Sequence, residues 1–76
     1  MNYVENKGLP ESIKLRLIAA IKASGLTQTE IAKKAQITSA TLSDYIHKTK
    51  MPSLETFALI CDAIDISADE ILGLKN

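Results

Sequence analysis

Apolar residues in the first third of this chain recur with the spacing of an α-helix. Ile13, Leu17 and Ile21 stand four residues apart, which places them on one face of a helix that we expect over roughly residues 10–24. Gly25 follows the last apolar residue of that series and suits the left-handed position that ends many helices. No useful length of the chain alternates apolar and polar residues with a period of two, so the pattern predicts helices and no strands.

Hydroxyl residues mark the starts of two further helices. Residues 27–30, Thr-Gln-Thr-Glu, supply the hydroxyl and the carboxylate of a capping box, which predicts a second helix over about 28–35. Thr38 can cap a third helix over about 39–47. The residues of these two helices that we expect to face the core are Ile31, Ala32, Ala35, Leu42, Tyr45 and Ile46.

Two more capping signals follow in the last third of the chain. Ser53 predicts a fourth helix, and residues 67–70, Ser-Ala-Asp-Glu, predict a short fifth helix that carries Ile71 and Leu72 and that Gly73 can end. The inward face of the fourth helix is expected to be Leu54, Phe57, Ala58, Cys61 and Ile64. The pattern as a whole predicts an all-α fold of five helices.

The composition removes several classes of protein. The chain has 76 residues, enough for one small domain with a thin core. A single cysteine, Cys61, excludes a disulfide framework and a thiol-based metal site, and the only histidine, His47, has no partner at ligand spacing. We therefore expect no metal and no cofactor. No apolar run resembles a signal peptide or a bilayer span, so we expect a cytoplasmic protein without a membrane role.

Charge is distributed unevenly along a chain whose net charge is zero. Residues 1–50 carry eight basic and four acidic side chains, a net of +4, whereas residues 51–76 carry one basic and five acidic side chains, a net of −4. This asymmetry predicts a basic functional face, although two ordinary solvated surfaces would give the same numbers.

The segment 27–47 has the form of a helix-turn-helix. Its second helix presents only short polar or methyl side chains opposite its apolar face. Short side chains let a helix enter a DNA major groove, where hydroxyls can pair with either donor or acceptor base edges and methyls can meet the thymine methyl. The pattern therefore favours DNA binding.

Four stretches in order resemble the lambda-repressor-like helix-turn-helix family, which includes the Cro and phage-repressor proteins and the xenobiotic-response-element type. They are residues 26–35 (LTQTEIAKKA), 37–43 (ITSATLS), 52–56 (PSLET) and 65–72 (DISADEIL). The resemblance spans about residues 11–74 and implies a compact five-helix bundle that binds operator DNA, as a homodimer in most members, and regulates transcription. The first nine residues are polar and contain a glycine, so we expect a flexible N-terminal arm, 1–9, followed by a helix-turn-helix DNA-binding domain, 10–76.

The resemblance also implies roles for individual residues. The positions that read bases or touch adjacent phosphates are Ser39, Ala40, Thr41, Ser43 and Asp44. The positions that contact phosphates are Thr27, Gln28, Lys48, Thr49 and Lys50, and we add His47 at the end of the third helix. Asp44 is open to two interpretations, because its carboxylate can accept from cytosine N4 but is repelled by phosphates.

Two departures from the family pattern carry structural expectations. Gln36 and Lys48 stand where members commonly have glycine, so we expect a positive φ at both and a turn that is either strained or slightly remodelled. Ile21 and Ile46 stand where many members pair an arginine with a glutamate, and our hypothesis is that an apolar contact replaces that ion pair.

The interpretation that unites these observations is a small repressor whose dimer binds a palindromic operator, with Leu72 and Leu74 as candidates for the dimer interface. The alternative is an antitoxin or other protein-interaction module on the same fold, bound to a toxin-like partner. An enzyme is not expected, because the Ser43, Asp44 and His47 side chains share one exposed helical turn that would not exclude water.

Overall fold

A computed structural model describes residues 9–74 as five α-helices, and no strand occurs between those two residues. The helices are α1 Leu9–Ala23, α2 Gln28–Lys34, α3 Ser39–His47, α4 Leu54–Ala63 and α5 Ala68–Leu72. The predicted all-α bundle is confirmed. The flexible arm predicted for residues 1–9 lies outside the described residues, except that α1 begins at its last residue, Leu9.

Side-chain hydroxyls cap the helices where the sequence predicted. At α2 the Glu30 amide donates to the Thr27 hydroxyl, and the Thr27 amide donates to the Glu30 carboxylate, both over 3.1 Å, so the capping box is complete. The Thr38 and Ser53 hydroxyls cap α3 and α4 by accepting from the amides of Thr41 and Thr56. The Ser67 hydroxyl accepts from the amide of Asp69, one residue earlier than a capping box requires.

Backbone conformation at the turns agrees with the sequence at three positions and disagrees at one. Gly25 and Gly73 have φ of +77° and +76°, and Gln36 has φ of +62°. The prediction for Lys48 is wrong, because its φ is −120° and the chain leaves α3 fully extended. Asp65, which the sequence did not single out, also has a positive φ of 56°.

Each helix contributes one large side chain to the centre of the core. Less than 2 % of each is exposed, and they are Leu17, Ile31, Leu42, Ile60 and Ile71. Around them α1 packs on α5, while α2 packs on both α3 and α4. This arrangement places α2 in the middle of the bundle and leaves one face of α3 toward solvent.

The inward face of α4 differs from the sequence prediction. Phe57, Cys61 and Ile64 are buried as expected, but Leu54 is 85 % exposed, Ala58 is exposed too, and Ile60 is buried instead. At about 100° per residue, positions 54 and 58 lie on the flank of the stripe formed by the buried positions. Burial also raises the pKa of the Cys61 thiol, because the interior disfavours the thiolate.

Candidate nucleic-acid interface

The turn between α2 and α3 is tight and sets the angle between the two helices. After α2 the Ile37 amide donates to the carbonyl of Ala32 over 3.0 Å, with Gln36 left-handed between them. The Ala32 and Ala35 side chains are buried, with 2 % and 0 % exposed. Because these side chains are small, α3 can approach the backbone of α2 closely. Gln36 carries the positive φ that glycine adopts without strain.

The helix α3 has one buried face and one open face. Leu42 and Tyr45 are buried, and Ile46 is half-buried against the same core. The five base-reading candidates lie on the rest of the surface of α3, where Ser39 and Ala40 are exposed and Thr41, Ser43 and Asp44 are half-buried. None of the five is buried, so all can meet a ligand that lies along the helix.

The hydroxyls at the start of α3 are already oriented by the cap. The Thr38 hydroxyl accepts from the Thr41 amide over 3.0 Å and donates to the Thr41 hydroxyl oxygen over 2.9 Å. This leaves the proton of the Thr41 hydroxyl for an acceptor outside the protein. The cap therefore fixes a donor at the beginning of the open face.

Polar side chains also pair along the last turn of α3. The Asp44 carboxylate lies 3.4 Å from the ammonium of Lys48, and His47 Nδ1 lies 3.2 Å from both the hydroxyl and the carbonyl oxygen of Ser43. About a third of the Asp44 side chain is exposed, at 34 %, so its charge is shared between solvent and Lys48. The one acidic residue of the open face is thus partly neutralised.

The other phosphate-contact candidates lie at the start of α2 and in the loop after α3. Thr27 and Gln28 are exposed at the first of these places, and Lys48, Thr49 and Lys50 are exposed at the second. The Thr27 hydroxyl accepts the hydrogen bond of the α2 cap and stays exposed. The hydrogen bonds from Thr27 lower the pKa of the Glu30 carboxyl, the bond from its amide most.

One side chain that contacts the segment of the phosphate-contact candidates was missed by the sequence analysis. The Lys14 ammonium, on α1, donates to the backbone carbonyls of Lys48 and Lys50, the latter over 2.7 Å. The residues are 34 and 36 positions apart. No local pattern in the sequence signals the contact, which only the packing of α1 against the loop creates.

The two dimer candidates lie in different surroundings. Leu72 is half-buried and lines an apolar cavity of about 150 Å³, together with Ile13, Leu17, Met51, Pro52, Leu54 and Phe57. Leu74 is 69 % exposed and does not line it. Both residues therefore remain open to contact, Leu72 through the cavity and Leu74 directly.

Among residues 9–74 no group of three His, Cys, Asp or Glu side chains is placed to hold a metal ion. In the same span, no helix combines the length and the apolar character that crossing a bilayer requires.

Comparison with known proteins agrees with this geometry. A family model described as helix-turn-helix matches residues 17–71, which include α2, the turn and α3 in full. Searches of curated proteins and of solved structures gave no match. The matched family is one of DNA-binding, non-enzymatic proteins. The chain belongs to the lambda-repressor-like, Cro/C1-type helix-turn-helix family of DNA-binding transcriptional regulators.

Proposed function

We propose that this protein is a sequence-specific DNA-binding repressor that places the first two turns of α3 in a major groove. The observation that carries the proposal is the open face of α3, which is lined by short side chains and backed by the buried Leu42 and Tyr45. A rigid helix with short outward side chains can lie deep in a groove about 12 Å wide.

Base recognition is assigned to four of the five candidates on that face, and Asp44 is treated separately. Ser39, Thr41 and Ser43 offer hydroxyls that can donate or accept, and the Ala40 methyl can contact a thymine methyl. Asp44 is held toward Lys48, 3.4 Å away, and that pairing favours a role beside the groove over a contact with cytosine.

Phosphate contacts are assigned to both ends of the helix-turn-helix. Thr27 and Gln28 serve one end, and the segment from His47 to Lys50 serves the other. Ammonium groups bind phosphate as point charges and release counterions from DNA, so the contribution of Lys48 and Lys50 depends on salt concentration.

A homodimer on a palindromic operator follows from the size of the reading surface. One α3 spans few base pairs, and two copies about 34 Å apart would contact successive major grooves. We assign the interface to the side formed by α4 and α5, with Leu72 and Leu74. The cavity beside Leu72 supports this choice, because the rim residue Leu54 is 85 % exposed and can enter the same cavity of a second copy. Repression would then result from occupancy of the operator.

Selection of bound sequences from a random DNA pool tests the proposal. We expect an enriched motif with two-fold symmetry, and sedimentation of the complex should show two chains on each site. Ala40→Glu should abolish enrichment, whereas Ala19→Glu, which changes an exposed alanine of α1 in the same way, should leave it intact. If the wild-type protein enriches no motif, the proposal is wrong and a protein-interaction module is favoured; chains that stay monomeric on DNA would refute the dimer.

A further inference from the structure

The loop from Lys48 to Ser53, which joins α3 to α4, has few internal contacts. Its first amide, on Lys48, donates to Asp44 at the end of α3, and Ser53 caps α4. Across the described residues 9–74, the backbone of residues 49–52 takes part in one hydrogen bond, the one from Lys14 to the Lys50 carbonyl. Lys14 therefore supplies the polar attachment of this segment to the bundle.

The other end of the same loop lines an apolar cavity together with residues of the same helix. Met51 and Pro52 line the cavity to which Ile13 and Leu17 of α1 contribute. The ammonium of Lys14 binds the loop just before these cavity-lining residues, at the carbonyls of Lys48 and Lys50. Lys14 and the cavity thus lie on either side of the segment from which the exposed Lys50 side chain projects.

We infer that Lys14 is a positioning residue for the phosphate-binding loop, an inference that rests on the proposed DNA-binding function. Charge-assisted hydrogen bonds to the two carbonyls fix the backbone from which Lys48 and Lys50 project. The same ammonium offsets the partial negative charge of carbonyl oxygens that would otherwise lie beside DNA phosphates. Lys14 acts through the loop and makes no phosphate contact of its own.

The first test uses the free protein, so it does not depend on DNA binding. Backbone ¹⁵N relaxation should show order parameters for Thr49 and Lys50 falling from rigid values near 0.85 toward 0.6 in Lys14→Met. Lys22→Met removes an exposed lysine from the same helix and should leave the loop unchanged. Lys14→Arg keeps a charged donor and should restore order. Unchanged order parameters in a folded Lys14→Met protein would overturn the inference.

The second test measures the salt dependence of binding to non-specific DNA. Each lost phosphate contact lowers the slope by about one unit, so Lys14→Met should lower it by about two if it disorders both loop lysines. Lys50→Ala should then add little in the Lys14→Met background, although it costs about one unit alone. If Lys14→Met lowers the slope by one unit, and the double variant with Lys50→Ala loses the sum of the two single effects, then Lys14 contacts phosphate itself. That result would overturn the inference. If the wild-type protein binds no DNA, the proposed function fails while the loop measurement still decides the role of Lys14.

Discussion

At the scale of single residues, short polar side chains at the helix starts decide where the helices begin. Thr27, Thr38 and Ser53 each accept from an amide three residues ahead, which satisfies a donor that the helix itself leaves unpaired. Glu30 completes the arrangement at α2 by accepting from the Thr27 amide, and that bond lowers the pKa of its carboxyl. The start of α3 thus depends on a hydroxyl that the sequence shows directly.

The capping box makes stability depend on pH in a defined direction. The pKa of the Glu30 carboxyl is lower in the folded state than in the unfolded chain. The contribution of Glu30 to stability is therefore complete above its pKa in the unfolded chain, and it is lost as the pH falls through its pKa in the folded state. We expect Glu30→Gln to lower the melting temperature at pH 7, with a gap that narrows between about pH 5 and pH 3. Glu55→Gln, in the first turn of α4, is the control for loss of one charge. A difference in melting temperature between Glu30→Gln and the wild type that stays constant down to pH 3 would contradict this account.

At the scale of elements, α5 depends on contacts with α1. A helix of five residues does not form by itself, and α5 is held by the burial of Ile71 and by the Arg16 guanidinium, whose Nε donates to the Ile71 carbonyl over 2.6 Å. A cation at the end of a helix also interacts favourably with the helix dipole. Gly73 follows with φ of +76° and lies against the Arg16 guanidinium.

Gly73→Ala should destabilise the protein more than Gly25→Ala. Both positions have positive φ, which costs an alanine about 1 kcal/mol. A Cβ at 73 would also lie 2.7 Å from Arg16 Nη2, whereas a Cβ at 25 would meet no atom within 4 Å. Because the atoms in the way are the flexible end of Arg16, displacing them should add at most about 1.5 kcal/mol, the worth of the charged hydrogen bond to the Ile71 carbonyl if it is lost. Chemical denaturation should show this excess, and it should vanish in an Arg16→Met background; equal costs with Arg16 present would contradict the contact.

The burial of Ile21 on α1 gives a second prediction at this scale. Ile21 is 4 % exposed, and the half-buried Ile46 packs on the same core. We expect Ile21→Arg to lower the free energy of unfolding by about 3–5 kcal/mol, because it buries an unpaired charge. Leu15→Arg, at a 66 % exposed position of the same helix, should have little effect.

Adding Ile46→Glu to Ile21→Arg should recover part of the lost unfolding free energy, since it creates the arginine–glutamate pair that the resemblance implies at these positions in many family members. An unfolding free energy unchanged by Ile21→Arg would rule out the apolar replacement of that pair.

At the scale of the whole molecule, the features that depend on neighbours in sequence were predicted and those that depend on packing were not. The five helices and their caps follow from local patterns, and the left-handed Gln36 was expected from the family resemblance. The exposure of Leu54 depends on how α4 is rotated against the bundle, and the extended backbone of Lys48 accompanies a contact with Lys14. For the same reason the sequence identified the candidates on α3 but not the residue that holds the loop beside them.

The zero net charge is the sum of a basic half and an acidic half of the chain. The acidic residues after position 50 belong to the half that carries α4 and α5, and Glu55, Asp62, Asp65 and Asp69 are all exposed there. The basic candidates lie in the other half, beside α3. With the few phosphate contacts proposed above, we expect weak binding to non-specific DNA, so that discrimination between sequences rests on the side chains of α3.

The most direct test of that claim compares the motifs selected by the wild type and by a protein carrying Ser39→Ala and Ser43→Ala. Alanine favours helix, so the double variant should fold, and it should lose preference at one or two positions in each half-site while keeping the salt dependence of the wild type. Thr29→Ala, at an exposed position of α2, should select the wild-type motif. A double variant that still selects the wild-type motif would show that α3 does not read the bases through these hydroxyls.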